Sequence, residues 1–188
     1  MNDITRALIA ALLLAAFTAH GMDLRAYANV KLHPGINAAV NIGVPARLAT
    51  IVIGHRENFN AHGFDVATFF IAGDKPPDLG LLSFWDGDKE SLHQGTSGGA
   101  DCVLHDFRLL RSSKGAPPMV VVADREMGDS YADKAAVSFR FYRLVQNTEG
   151  MPGRPLYSFE LVKTEKAKAS YCDVGEAFQR ELGLGSWP

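Results

Sequence analysis

The feature that most constrains this chain is an alternation of apolar and polar residues with a period of two. In residues 136–145, Val137, Phe139 and Phe141 alternate with more polar neighbours. Because successive side chains of a β-strand point to opposite faces, this pattern predicts a strand with one apolar face. Similar alternation or short apolar runs predict further strands at residues 27–32, 36–42, 48–53, 65–72, 79–85, 101–111, 119–123 and 156–162.

Turn-forming clusters separate the predicted strands, as in residues 33–35 and 75–78, which are rich in Pro, Gly and Asp. Short strands at this spacing indicate an antiparallel sandwich or barrel, and we expect a single β-sandwich. The pattern changes near the C-terminus, where Asp173 can cap a helix, Glu176 stands at the reciprocal position and Gly183 can end it. The predicted fold is therefore mostly β with a short C-terminal α-helix.

The N-terminus predicts export. Residues 7–19 form an apolar run of about the length of a signal-peptide core, too short to span a bilayer as a helix. Small residues at Ala19 and Gly21 fit cleavage after residue 21. We therefore expect a signal peptide at residues 1–21, one domain at residues 22–188 and a periplasmic location, with an uncleaved membrane anchor as the alternative.

The charge balance and the missing motifs narrow the classes of function. The formal net charge is −2 and no block of Lys or Arg stands out, which disfavours nucleic acid and anionic membranes as partners. The chain lacks a Gly-x-Ser-x-Gly elbow, a Ser-x-x-Lys motif and a Lys-Thr-Gly motif. We expect a non-enzymatic protein without a cofactor, with a hydrolase built from dispersed residues as the alternative.

Only two cysteines occur, Cys102 and Cys172. In an oxidising compartment such a pair is expected to form a disulfide, which here would tie the middle of the chain to the start of the last helix. Two buried free thiols are the alternative.

Residues 55–65 gather two histidines, two carboxylates, an arginine and two asparagines between two predicted strands. Loops on a rigid scaffold often carry recognition residues, so Asn58, Asn60 and His62 are candidate ligand-binding residues. The alternative is a solvated loop whose side chains bond its own backbone. No metal site is predicted, because the histidine spacing matches no usual ligand motif.

A second polar segment, residues 124–134, follows a hydrophobic strand and supplies Arg125 and Ser130 as candidate ligand-binding residues. An arginine there can pair with a carboxylate of the protein or of a ligand. The alternative is an acidic surface turn with one ion pair. Residues 95–101 could form a backbone nest for an anion, but no helix or lysine follows, and His105 is interpreted as a hydrogen-bonded sheet residue.

The chain resembles the carbapenem intrinsic-resistance proteins, the CarG-like family. The matching pieces follow one another in order at residues 58–65, 99–102, 124–134, 152–155 and 171–174. The resemblance implies an exported protein that protects against a carbapenem without β-lactamase motifs. It also implies a β-sandwich with short terminal helices, similar to periplasmic inhibitors of invertebrate lysozyme.

The resemblance therefore implies a binding or immunity protein that acts by binding a β-lactam-like molecule or by shielding a cell-envelope protein, and a homodimer stays open. The alternative is a periplasmic interaction module, such as an inhibitor of a lysozyme-like hydrolase. Residues 97–100 have the serine and glycine of the inhibitors' loop but lack its tyrosine, so that activity does not transfer. Residues 41–47 lack the Asp/Asn-rich turn of some relatives, so no cation site is expected there.

Overall fold

The structure is a computed structural model that describes residues 23–75 and 77–185. A short 3-10 helix, Leu24–Ala26, precedes the strands, and one α-helix, α1, spans Val174–Leu182. The strands are β1 Tyr27–Asn29, β2 Gly35–Val40, β3 Ala49–Arg56, β4 Phe64–Ala72, β5 Leu79–Asp86, β6 Lys89–Ser91, β7 Gln94–Gly98, β8 Val103–Ser112, β9 Met119–Arg125, β10 Ala135–Gln146 and β11 Tyr157–Tyr171. The predicted β-rich fold with a short C-terminal helix is confirmed.

The strands close into a seven-stranded barrel, so the predicted plain sandwich is wrong. Pairing runs from β4 through β7, β8, β9, β10, β11 and β5 and returns to β4. The pairs are antiparallel except where Ser158–Glu160 of β11 lies parallel to Ser83–Trp85 of β5. One edge of β4 accepts both β7 and β5, end to end, while its other edge accepts β3. β1, β2, β3 and β6 extend this ring.

Strand β7 explains why the barrel was not predicted. Its residues 94–98 are polar or glycine and suggest a loop or anion nest, yet they pair with β4 on one side and β8 on the other. This strand joins two sets of strands that would otherwise form separate sheets. The barrel therefore depends on a segment without an apolar pattern.

The main core lies within the ring and is built around Phe69. Its ring makes edge contacts with Phe84, Phe107 and Phe159 at centroid distances of 5.3, 5.6 and 6.1 Å. Such edge-to-face pairs are favourable beyond the apolar area they bury. A second cluster lies on the other face of the strands, where α1 packs and Phe178 contacts Phe139 at 5.6 Å.

Helix α1 begins and ends where the sequence predicts. Asp173 accepts a hydrogen bond from the amide of Gly175 at 2.6 Å, and Gly183 ends the helix in the left-handed region with φ of 67°. Glu176 does not reach back to the cap residue but pairs with Arg180 at 3.0 Å. The caps stabilise the helix termini without the reciprocal bond of a capping box.

A buried arginine fixes α1 against β8. Arg108 is 1% exposed, pairs with Asp106 at 2.5 Å and donates from Nε to the carbonyl of Gly185 at 3.0 Å. Its guanidinium also lies 4.5 Å from the ring centre of Phe178. Burial raises the pKa of Asp106 above its ordinary value and outweighs the opposing effect of the neighbouring guanidinium.

The predicted signal peptide at residues 1–21 lies outside the described residues. Within the described ranges, no helix has the length and apolar character needed to cross a membrane.

Candidate functional site

Three loops meet around an open groove at one end of the barrel. They are residues 57–63 between β3 and β4 and residues 126–134 between β9 and β10, which line the groove, and residues 99–102 between β7 and β8, which adjoin it at Gly99. The groove has a volume of about 600 Å³. Its polar wall consists of Asn58, His62, Ser97, His105, Asp124 and Tyr131.

The loop of residues 57–63 is held by its own side chains. Asn58 donates to the carbonyl of His62 at 2.6 Å and accepts from Arg56. Asn60 accepts from the amide of His62 at 2.8 Å. At the tip, Phe59 adopts a positive φ of 57° and is 96% exposed. The loop therefore holds a bulky apolar residue in a costly conformation that leaves it fully in solvent.

His62 connects this loop to the end of β7 and to the loop of residues 126–134. Its Nδ1 lies 3.1 Å from the carbonyl oxygen of Gly98, and its ring packs on the ring of Tyr131 at a centroid distance of 4.6 Å. A methyl group at Gly99 would lie 3.3 Å from both rings, so only glycine allows this approach without displacement.

Arg125 organises the loop of residues 126–134. It is 6% exposed, and its guanidinium donates to the carbonyl oxygens of Met127, Ser130, Tyr131 and Asp133. Its Nε is buried and has no hydrogen-bond partner among the described residues. The arginine therefore shapes one wall of the groove through main-chain contacts.

The Ser130 hydroxyl also forms a hydrogen bond within the loop of residues 126–134. Its Oγ accepts from the amide of Ala132 at 3.2 Å, while its own amide donates to the carboxylate of Asp133 at 2.7 Å. These bonds form a compact turn beside the groove.

A charged network crosses β8, β9 and β10 beneath the loops. Asp124 accepts from Nδ1 of His105 at 2.5 Å and from both Nε and a terminal nitrogen of Arg140 at 2.9 and 2.7 Å. Arg140 also donates to the hydroxyl of Tyr142, a residue of the main core, at 3.2 Å. The network therefore rests on the core and opens to the groove.

The network keeps Asp124 ionised. Burial alone would raise the pKa of this carboxyl, but the hydrogen bond and charge of His105, together with Arg140, outweigh burial and lower it below its ordinary value. The carboxylate is half-buried and held from two sides, so its position beside His105 is fixed.

The predicted disulfide between Cys102 and Cys172 is confirmed, with a Cα–Cα distance of 5.6 Å. Next to it, Asp173 accepts from the amide of Val103 at 3.0 Å, so a hydrogen bond joins the same two segments. The sulfur of Cys172 lies 3.2 Å from the carbonyl of Ala132 in the third loop. The disulfide therefore joins segments beside the groove, and it is consistent with an oxidising, exported location.

Three of the predicted site residues, Asn58, His62 and Arg125, line the groove. The side chains of Asn60 and Ser130 bond the backbone of their own loops. Over the described ranges, no group of three or more His, Cys, Asp or Glu side chains is arranged to hold a metal ion.

Sequence reasoning missed Ser97, Asp124 and Tyr131 as groove residues and assigned His105 only a structural role. Two signals were present: His105 interrupts an apolar alternation, and Asp124 follows five apolar residues of β9. Both place a polar side chain at the same end of neighbouring strands.

Comparison with known proteins supports the fold. No protein-family model and no curated protein matches the chain. A solved structure described as the crystal structure of CarG matches with a TM-score of 0.67 and 24% sequence identity, covering 85% of this chain and 99% of that chain. At this identity the likeness shows a CarG-like fold, which confirms the structural part of the resemblance seen in the sequence.

Proposed function

We propose that this chain is an exported binding protein related to carbapenem resistance, and that its groove holds a small β-lactam-type molecule without turnover. One observation carries the proposal. Of the five segments that carry the family resemblance, four (residues 58–65, 99–102, 124–134 and 171–174) lie far apart in sequence yet meet at the groove and at the disulfide beside it, while residues 152–155 lie elsewhere. A ligand site accounts for this convergence better than four separate turns do.

The groove suits a small polar ligand. A volume of about 600 Å³ falls within the usual range of about 300–1,000 Å³ for ligand sites. Phe64, Leu104 and Met127 supply apolar surface. Among the described residues, the Tyr131 hydroxyl has no hydrogen-bond partner, so it is free to donate to a ligand carbonyl or carboxylate.

Calorimetric titration of the oxidised mature protein with a carbapenem tests the proposal, with the drug's absorbance followed in parallel. We expect saturable binding without catalytic loss of the drug, and a loss of affinity of about two- to tenfold in Tyr131→Phe, which removes one hydrogen bond. His62→Ala should also weaken binding, because it removes the ring that packs on Tyr131, whereas His93→Ala, which removes an exposed histidine on the turn before β7, is the matched control and should not. Absence of binding, or loss of absorbance at catalytic protein concentrations, would contradict the proposal.

A second candidate function, a protein-interaction module, is favoured by Phe59. A bulky side chain that is 96% exposed and held by a bonded loop matches the rigid aromatic anchors found at the centres of protein interfaces. Inhibition of a purified lysozyme-like hydrolase tests it. Phe59→Ala should abolish inhibition, whereas Leu92→Ala, which alters an apolar residue exposed elsewhere, should not.

A further inference from the structure

The groove contains a hydroxyl, an imidazole and a carboxylate on three neighbouring strands. Ser97 of β7 is the ladder partner of His105 of β8, and His105 is the ladder partner of Asp124 of β9. All three residues line the groove. We propose that Ser97 is an acyl acceptor, with His105 as its general base and Asp124 as the residue that positions the base.

The contact between Asp124 and His105 determines which nitrogen of the imidazole carries the proton. Because the network keeps Asp124 ionised, the carboxylate can only accept, so Nδ1 of His105 carries the proton in their 2.5 Å hydrogen bond. In the neutral ring Nε2 is then the unprotonated nitrogen. No hydrogen-bond partner of Nε2 exists in the described part of the chain, so it is free to take a proton.

The position of Ser97 matches the free side of the ring. The two nitrogens lie on opposite sides of an imidazole, so a ring that presents Nδ1 to β9 carries Nε2 on the side of β7. Directly opposed residues of an antiparallel pair have Cβ atoms about 4.5–5.5 Å apart, which leaves the Ser97 hydroxyl within reach of Nε2 after a rotamer change. Ser97 is exposed, and the β7–β8 register shifts immediately after it.

Arg140 supports this arrangement through its hydrogen bonds to Asp124. It holds the second oxygen of Asp124 through two nitrogens at 2.9 and 2.7 Å, which leaves the first oxygen directed at His105. A carboxylate fixed in this way orients the imidazole and stabilises the imidazolium that forms when the base takes a proton.

The proposed step balances without an added reagent. The Ser97 oxygen attacks the carbonyl carbon of an activated ester or of a β-lactam, forming a C–O bond. His105 Nε2 takes the hydroxyl proton and returns it to the leaving oxygen or nitrogen as the ester C–O or lactam C–N bond breaks. The product is an acyl ester on Ser97. Only the choice of a β-lactam rests on the proposed function, because the hydroxyl and its base do not depend on it.

Acylation by p-nitrophenyl acetate tests the step independently of carbapenem binding. We expect a burst of nitrophenolate and an acetyl group on the peptide that contains Ser97, identified by mass spectrometry. Ser97→Ala should remove both, and His105→Gln should slow the burst by about a hundredfold. Ser138→Ala is the matched control, because Ser138 is the ladder partner of Asp124 on the other side and has no imidazole beside it.

The pH profile separates a base from a merely structural histidine. In the wild-type protein the burst rate should rise with pH as one group loses its proton. That pH dependence should vanish in His105→Gln, and its midpoint should shift in Asp124→Asn. Unfolding curves of each variant check that the fold is retained. Acetylation confined to lysines, or an unchanged burst in Ser97→Ala, would overturn the proposal.

A parallel incubation with a carbapenem distinguishes the two proposals. Acetylation of Ser97 without carbapenem binding would support the acyl acceptor and refute the proposed ligand. Carbapenem binding without any acyl ester on Ser97, from either reagent, would support the binding site and refute the acyl acceptor.

Discussion

Removal of the disulfide by Cys102→Ala with Cys172→Ala is expected to lower the free energy of unfolding by several kcal/mol. The bond joins positions 70 residues apart. For a loop of that length the chain-entropy model gives about 4.4 kcal/mol at 25 °C, as an upper figure. For a domain of this size, that loss corresponds to a fall in melting temperature of about 9–18 °C.

The structure indicates that this loss acts through the unfolded chain. Asp173 bonds the amide of Val103 at 3.0 Å and caps α1, so the two segments stay joined in the native state without the disulfide. The native groove is therefore expected to persist in the variant, while the unfolded ensemble gains the freedom that the cross-link removed.

Urea unfolding monitored by tryptophan fluorescence and far-UV circular dichroism measures the effect. The oxidised protein, the protein reduced with dithiothreitol and the double alanine variant should be compared, because the reduced protein keeps both sulfur atoms and isolates the cross-link itself. If both altered forms lie within about 1 kcal/mol of the oxidised protein, the chain-entropy reasoning is refuted.

Three further predictions concern single sites. Arg108→Ala leaves a buried carboxylate unpaired and should lower the free energy of unfolding, measured in urea, by about 3–5 kcal/mol. A loss under about 1 kcal/mol would contradict this. The hydrogen bond that His55 donates to Asp65 raises the pKa of His55, so the stabilisation from this pair should be present at low pH and fade as pH rises through the folded pKa. NMR titration in Asp65→Asn should show the pKa of His55 returning towards its ordinary value, and no change would refute the assignment. Gly99→Ala crowds the packed rings of His62 and Tyr131 and should lower the free energy of unfolding by about 1 kcal/mol or more, whereas Gly54→Ala meets open space and should not. Equal unfolding curves would disprove this.

The strands that the sequence predicted are those with an apolar face. Residues 119–123 are buried throughout, and residues 136–145 alternate, so both are recognisable without tertiary information. The second half of β11 extends to Tyr171 through a segment of Lys, Glu, Thr, Ala and Ser residues, which gives no apolar signal. Pairing with β10, rather than local preference, makes this segment a strand.

The site was predicted in pieces but not as a whole. Residues 55–65 and 124–134 carry unusual densities of polar side chains, which sequence reasoning can detect. Their meeting depends on the ladder from β4 through β7 to β9, and β7 has no recognisable pattern. The pairing of His105 with Asp124 likewise follows from the β8–β9 register, which the sequence does not specify.

The parallel pairing of residues 158–160 with residues 83–85 joins the last strand of the ring to β5 and closes the barrel. In a chain that stops before β11, β5 and β10 each have one ring partner and keep an unpaired edge. A nascent chain at this stage can add a foreign strand at either edge. Completion requires contacts between distant parts of the chain, which slows folding. A fragment that stops short of residue 158 is therefore expected to aggregate, whereas in the full chain β11 pairs with both edges and the disulfide follows directly after it.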